Sequence, residues 1–323
     1  MNEEKLDEII IIASEPYFDV AGRSLLNGFV NINIRCSLVN SIPKIKTENK
    51  AYIIINPQQH SKLLSNISSA NNILIGMLSE HLPCLNTGGF KFTRKNRRWL
   101  QIFYNKFDFL FHSNADTVKQ YQKKYPRLQW LPLHRIEDFK PINDNKPYDV
   151  IYYGDSSGID NRRKLLLDHL MSKFNFYPYK KSLWGKEKSE ALSLSRVGLN
   201  IHYDHAFYFE VNRFNELITN SVCVLSEHVV NPKPFKPGHD YIDAYYDEIE
   251  YKLEELLNNQ DLQNTLIKNA QDTLSNYSPE YIAGIIYEKI LLERNKLLDK
   301  RYKFFKSFKL ISGINIVDYS SSL

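Results

Sequence analysis

The stretch 197–227, VGLNIHYDHAFYFEVNRFNELITNSVCVLSE, holds the residues best spaced for chemistry. Arg213 and Glu216 stand three apart on a segment with helical periodicity, so they share one face, either as an ion pair or as a cation and an acceptor shown to a ligand. His202 and His205 offer two imidazoles, but at a strand end they share no face and no third ligand stands near, so no metal site is expected. Upstream, Gly154-Asp155-Ser156-Ser157-Gly158 follows an apolar run and matches Gly-x-Ser-x-Gly. That pattern makes Ser156 a candidate nucleophile, with Asp204 and His239 as nominal partners. The helix after it starts only near Asn161 and Arg162, later than a nucleophile elbow requires. No two glycines are two apart, so no dinucleotide fingerprint exists, and no Gly-Lys-Ser/Thr follows a glycine loop. No two aspartates are two apart either, which removes the Asp-x-Asp motif that binds a metal–diphosphate pair.

The elements that must position these residues alternate between short apolar runs and helical segments, the pattern of parallel α/β sheets. Strands are expected at 8–13, 32–39, 51–56, 71–78, 107–113 and 128–132, then again at 149–154, 174–177, 196–202, 221–225 and near Tyr241. The polar, proline-bearing stretch 137–148 separates the two sets. This predicts two doubly wound, Rossmann-like domains, 1–146 and 147–294, with a ligand cleft between them and a basic, aromatic helix or tail at 295–323.

The 323 residues carry a net charge of +5, yet residues 294–309 hold seven Lys/Arg and one acid, which is +6 and leaves 5 − 6 = −1 elsewhere. A nucleic-acid-binding body is therefore not expected. Cys36, Cys84 and Cys223 form no CxxC, which suits a reducing compartment. The acidic start MNEEKLDE and strand-length apolar runs suit a cytoplasmic protein, with possible contact to the inner membrane face through residues 294–309. A second basic cluster, Arg94 to Arg98, reads as a solvated helix face or an anionic-acceptor site.

VGLNIH, then Asn212-Arg213-Phe214-Asn215-Glu216, then Asn220-Ser221 and VCVLSE, resemble the donor half of GT-B glycosyltransferases, in particular the bacterial spore-maturation-like, family 1-type group. FDFLFHSNADTVKQYQKKYPRLQWLPLHRIEDFKP and DVIYYGDSSGIDNRRKLLLDHL resemble the end of that fold's acceptor domain and the opening of its donor domain. The resemblance implies a GT-B fold, with the final helix 295–323 packing back on the N-terminal domain, and transfer of a sugar from a nucleotide diphosphate sugar to a glycan, lipid or protein acceptor, without a metal or other cofactor. It sets Glu216 on the ribose hydroxyls and Arg213 with Arg162 or Arg163 on the diphosphate. Gly154, His202 and Asn212 join them on the donor side, and Gly22 lies in the facing glycine loop. Glu80 and His81 end an acceptor-side strand, where a general base would stand. Two positions depart from the family pattern: Tyr208 replaces the first Glu of Glu-x7-Glu, and Asn220-Ser221 replaces a turn glycine. The alternatives are a non-catalytic GT-B-like binding or assembly protein, a serine hydrolase built on Ser156, and a sugar-nucleotide epimerase of the same fold.

Overall fold

The structure, a computed structural model, describes residues 8–14, 21–41, 50–57, 72–78, 106–133, 145–181, 183–203 and 209–312, with side chains as far as 296. Strands β1 (Glu8–Ile12), β2 (Cys36–Val39), β3 (Lys50–Ile55), β4 (Ile73–Leu78), β5 (Phe109–His112) and β6 (Leu128–Trp130) form a parallel sheet ordered β2-β1-β3-β4-β5-β6. The winding reverses at β1, which pairs with β2 on one side and β3 on the other. A second parallel sheet, ordered β10-β9-β8-β7, contains β7 (Tyr148–Ile151), β8 (Ser195–Asn200), β9 (Cys223–Glu227) and β10 (Ile242–Ala244). Beyond β7 the chain makes two parallel bridges, Val150 to Phe176 and Tyr153 to Lys180, so the winding reverses at β7 too. Carboxyl ends of strands at such reversals leave a crevice where ligands bind.

Strand residues alternate between the two faces of the first sheet. Ile10, Ile12, Tyr52, Ile54 and Leu74 pack with Val118 and Tyr121 of helix α2 (Ala115–Tyr121). Ile9, Ile11, Ile53, Ile75 and Phe109 pack with Leu25 and Phe29 of α1 (Arg23–Asn31). In the second sheet, α3 (Arg162–Met171), α6 (Ile249–Leu257) and α7 (Gln260–Ser275) bury Leu166, Leu170, Leu253 and Leu266 against Val150, Val197 and Leu225. The opposite face holds α4 (Gly185–Ser193) and α5 (Val211–Thr219), whose Leu217 lies over Gly198. An added Cβ on Gly198 would stand 2.3 Å from a Leu217 methyl, so this close helix–strand contact requires glycine.

The last helix, α8 (Pro279–Ser312), spans 34 residues, about 51 Å at 1.5 Å per residue. Its Ile282, Ala283, Ile286 and Ile290 are fully buried in the core of the first sheet, not the second. The crossing thus begins near residue 279, inside the stretch assigned by sequence to the second domain and upstream of the 295 boundary. The sequence boundary followed the change in charge, whereas the helix follows its apolar stripe. Gly28 of α1 permits the crossing, since a Cβ there would lie 2.3 Å from the Pro279 carbonyl oxygen. Asn31 Nδ2 donates to Glu280 Oε1 at 2.6 Å beside it.

Two expected strands depart furthest from their apolar runs. α1 runs to Asn31, and a turn through Asn33, at φ 60, delays β2 until Cys36. Segment 174–177 makes only bridges, because Pro178 lacks the N–H needed to extend the ladder. Among the described residues no helix is long and apolar enough to cross a membrane.

Candidate functional site

The carboxyl end of β7 runs into Tyr152, Tyr153 and Gly154. Gly154 takes φ +104, a conformation open to glycine, and an added Cβ would lie 3.2 Å from Arg213 Nη2. The following loop folds on itself: Asp155 Oδ1 accepts from Ser157 N at 2.9 Å and Ser157 Oγ at 2.8 Å, and these bonds hold the carboxyl below its ordinary range. Asp160 and Asn161 take left-handed backbone before α3 begins at Arg162, six positions after Ser156 (162 − 156 = 6). No nucleophile elbow forms, because the helix does not follow the serine. His239 pairs with its neighbour Asp240 at 2.8 Å, and Asp204 lies outside the described residues.

The two arginines opening α3 have separate duties. Arg162 turns inward: Nη1 and Nη2 donate to the two carboxylate oxygens of Glu227 at 2.9 and 2.5 Å, and Nη1 also reaches the His202 carbonyl at 2.9 Å. Its guanidinium stacks 4.5 Å from the centre of the Tyr246 ring. Glu227 also accepts from His202 N at 3.0 Å, and His202 Nε2 meets the His228 carbonyl at 2.7 Å. Arg162 and His202 therefore brace the ends of β8 and β9 to each other. Arg163, no less buried, joins the loop after β7 to the end of β8 and to Glu210. Its Nε donates to Ile201 O at 2.8 Å, Nη1 to Asp155 O at 3.0 Å and Nη2 to Glu210 Oε1 at 2.5 Å.

Arg213 and Glu216 both face the end of β7, as their spacing requires, but they do not pair with each other. Arg213 Nη2 lies 3.0 Å from Glu210 Oε2 and 3.4 Å from Tyr153 O. Its Nε is buried with no hydrogen-bond partner among the described residues. The guanidinium lies 5.1 and 5.6 Å from the rings of Tyr152 and Tyr153. Burial works against its charge, yet the facing Glu210 carboxylate and the two phenols outweigh that and strengthen its hold on the proton. Glu216 accepts from Tyr153 Oη at 2.8 Å and from Lys188 Nζ at 2.6 Å. Burial, followed by the Glu216 charge, pushes the Tyr153 phenol well above its ordinary range, so it remains a donor. Lys188, on α4, is only 3% exposed and lies 4.6 Å under the ring of Trp184, which faces solvent. Asn212 is half-buried in the first turn of α5.

Two crystal structures of similar architecture match over nearly their full length. Sucrose-phosphate synthase from Thermosynechococcus elongatus aligns with 88% of this chain and 99% of its own at TM-score 0.59 and 10% identity. HepE from Anabaena, in complex with UDP, aligns over 88% and 99% at TM-score 0.56 and 9% identity. A variant of S. aureus TarM aligns over 75% of this chain at TM-score 0.57 and 11% identity, and the match spans 55% of TarM's length. The fold is GT-B. No protein-family model matches the sequence, and no curated protein matches it by sequence.

In the GT-B frame, the second sheet carries Gly154, Arg162, Arg163, His202, Asn212, Arg213 and Glu216 at its carboxyl edge. Gly22 stands instead at the end of β1, capping α1, where an added Cβ would lie 2.9 Å from Leu38 and 3.2 Å from Ala13. Glu80, His81, Tyr208 and Arg94 to Arg98 lie outside the described residues. The turn glycine missing after α5 is replaced by Ser221, which takes φ 56 itself, while Asn220 Nδ2 donates to the Glu216 carbonyl at 2.8 Å. The turn thus keeps its left-handed step without glycine.

Sequence reasoning missed Tyr153 and Lys188 as partners of Glu216, and Glu227 as partner of Arg162. A lysine in GKEKSE reads as solvated helix face. Only the pairing of α4 with α5 across the sheet edge reveals that Lys188 is buried. Among the described residues no three His, Cys, Asp or Glu side chains cluster as metal ligands.

Proposed function

We propose that this chain is a glycosyltransferase moving a sugar from a nucleoside diphosphate sugar to a glycan, lipid or protein acceptor. One observation carries the reading: Arg213, with an unbonded buried Nε, and Glu216, clamped by Tyr153 and Lys188, converge at the winding reversal of the second GT-B sheet. Glu216 would accept the ribose hydroxyls, and the clamp holds its carboxylate in one orientation. Arg213, Arg163 and the amides opening α5 would meet the charge that develops on the departing nucleoside diphosphate. Gly154 leaves the approach to Arg213 open. The reading assigns the charge to guanidinium groups and no step to a metal. HepE holds UDP in one solved form and UDP-glucose in another, and an α1,3-fucosyltransferase of similar fold holds GDP, which supports a nucleotide-sugar donor here.

On an inverting course Glu80 or His81 would take the acceptor proton, whereas the resemblance favours retention. The donor half is residues 147 to about 278, with α8 shared, and contact with an anionic membrane face falls to residues 294–309. A thermal-shift panel tests the reading: UDP, GDP, CMP, dTDP and their common sugars, with EDTA present, on the wild type and on Glu216→Gln. One nucleotide should raise the melting temperature of the wild type, and the shift should shrink in the variant. If every donor leaves the wild type unmoved, with or without candidate acceptors, the reading fails.

A further inference from the structure

The two arginines at the mouth of the second sheet already hold an anion. Glu210 spans them, with Oε1 2.5 Å from Arg163 Nη2 and Oε2 3.0 Å from Arg213 Nη2. The arginine side chains are 5% and 10% exposed, and Glu210 is 25% exposed, so the carboxylate sits on the solvent side of the pair. Every other charge of the cluster is matched: Arg162 by Glu227 and Lys188 by Glu216. What remains is two guanidinium groups against one carboxylate. Two buried cations side by side need a counter-ion to stay ordered, and a single carboxylate satisfies them incompletely. A diphosphate carries more charge and more acceptor oxygens, so it outcompetes Glu210 wherever it can reach.

The Glu210 backbone is anchored, its carbonyl accepting from Arg213 N at 3.1 Å and Phe214 N at 3.3 Å, but its side chain is able to move: it makes no capping bond to α5, and its described side-chain bonds are those to the two arginines. The adjacent residue is held as well: the Phe209 carbonyl accepts from Asn114 Nδ2 of the first half at 3.3 Å, and its ring meets Phe214 edge-on.

We infer that Glu210 is a resident counter-ion of the phosphate site, displaced when the diphosphate of the donor arrives and returned when the nucleoside diphosphate leaves. This rests on the donor site proposed above and adds its regulation: Glu210 keeps Arg163 and Arg213 in place without ligand and weakens the grip on the product. A permanent structural partner predicts the opposite sign, because removing it would loosen the arginines and weaken binding.

The experiment is calorimetric titration of wild type, Glu210→Gln and Glu210→Asp with UDP, GDP and inorganic pyrophosphate, alongside melting temperatures with and without each. Glu210→Gln should bind the preferred nucleotide, and pyrophosphate, about tenfold tighter or more. Its ligand-free melting temperature should fall while the ligand-induced rise grows. Glu210→Asp keeps the charge on a shorter arm and should move the same way by less, which preserves the test if the glutamine variant does not fold. Wild-type binding with unchanged or weaker binding in both variants overturns the counter-ion role alone. Absence of binding to all three proteins overturns the donor-site reading and this inference with it.

Discussion

Among the described residues the first sheet and its helices bury no Arg, Lys, Asp or Glu, whereas the second half buries Arg162, Arg163, Lys188, Arg213, Glu227 and Asp240. Both halves are parallel sheets with two-sided aliphatic cores, so architecture does not explain the difference. Five of those six charges lie at one edge, where β7, β8 and β9 end and α3 and α5 begin. Buried charge is costly unless matched, so a cluster of this kind persists where a ligand needs it. The pairing also divides the cluster in two. Arg162 with Glu227 holds strand ends together, while Arg163 and Arg213 share the single carboxylate of Glu210 and Glu216 is held by Tyr153 and Lys188.

The largest effect expected from this contrast is functional. Arg213→Ala should lower donor kcat/KM by about 10³-fold, in the range for loss of one preorganised charge-stabilising group, and Arg213→Lys should restore only part, because a point charge does not reproduce a guanidinium fork. Steady-state rates with the donor found in the nucleotide panel measure this, and an unchanged kcat/KM would dissolve the contrast between the two edges. Next comes stability. Ile286→Ala, in the helix shared with the first sheet, should cost about 2–5 kcal/mol in denaturant unfolding while leaving kcat/KM unchanged well below the melting temperature. An equal loss of activity would show that the first half does more than support. The smallest effect belongs to the clamp: Tyr153→Phe removes one donor from Glu216 and should raise the donor KM a few-fold, about 1 kcal/mol, with kcat nearly constant. A fall in kcat alone would move Tyr153 from binding to chemistry.

Much of the fold was legible because strands buried on both faces read as continuous apolar runs, as in EIIII, KAYIII and ILIGML. The crossing of α8 was expected from the resemblance for residues 295–323, but its start near residue 279 was not legible. Ile282, Ile286 and Ile290 announce an apolar stripe, but a stripe does not name the sheet that it covers. The same limit holds at the site. Three-residue spacing placed Arg213 and Glu216 on a common face, yet the partners that decide what each does, Glu210, Tyr153 and Lys188, come from another turn, another strand and another helix. Arg162 and Arg163 are neighbours of one type, and only the fold shows that one pairs with Glu227 and the other with Glu210.

The isoleucines of α8 have a consequence for how the protein is made. One face of the first sheet is covered by residues 282–290, although its last strand, β6, ends at Trp130. A ribosome adding about 5–20 residues per second delivers that cover on the order of ten seconds after the strands themselves. Through that interval Ile9, Ile11, Ile53 and Ile75 of the nascent sheet lack the cover that Ile282, Ile286 and Ile290 later supply. The first half to be synthesised is thus the last to be finished.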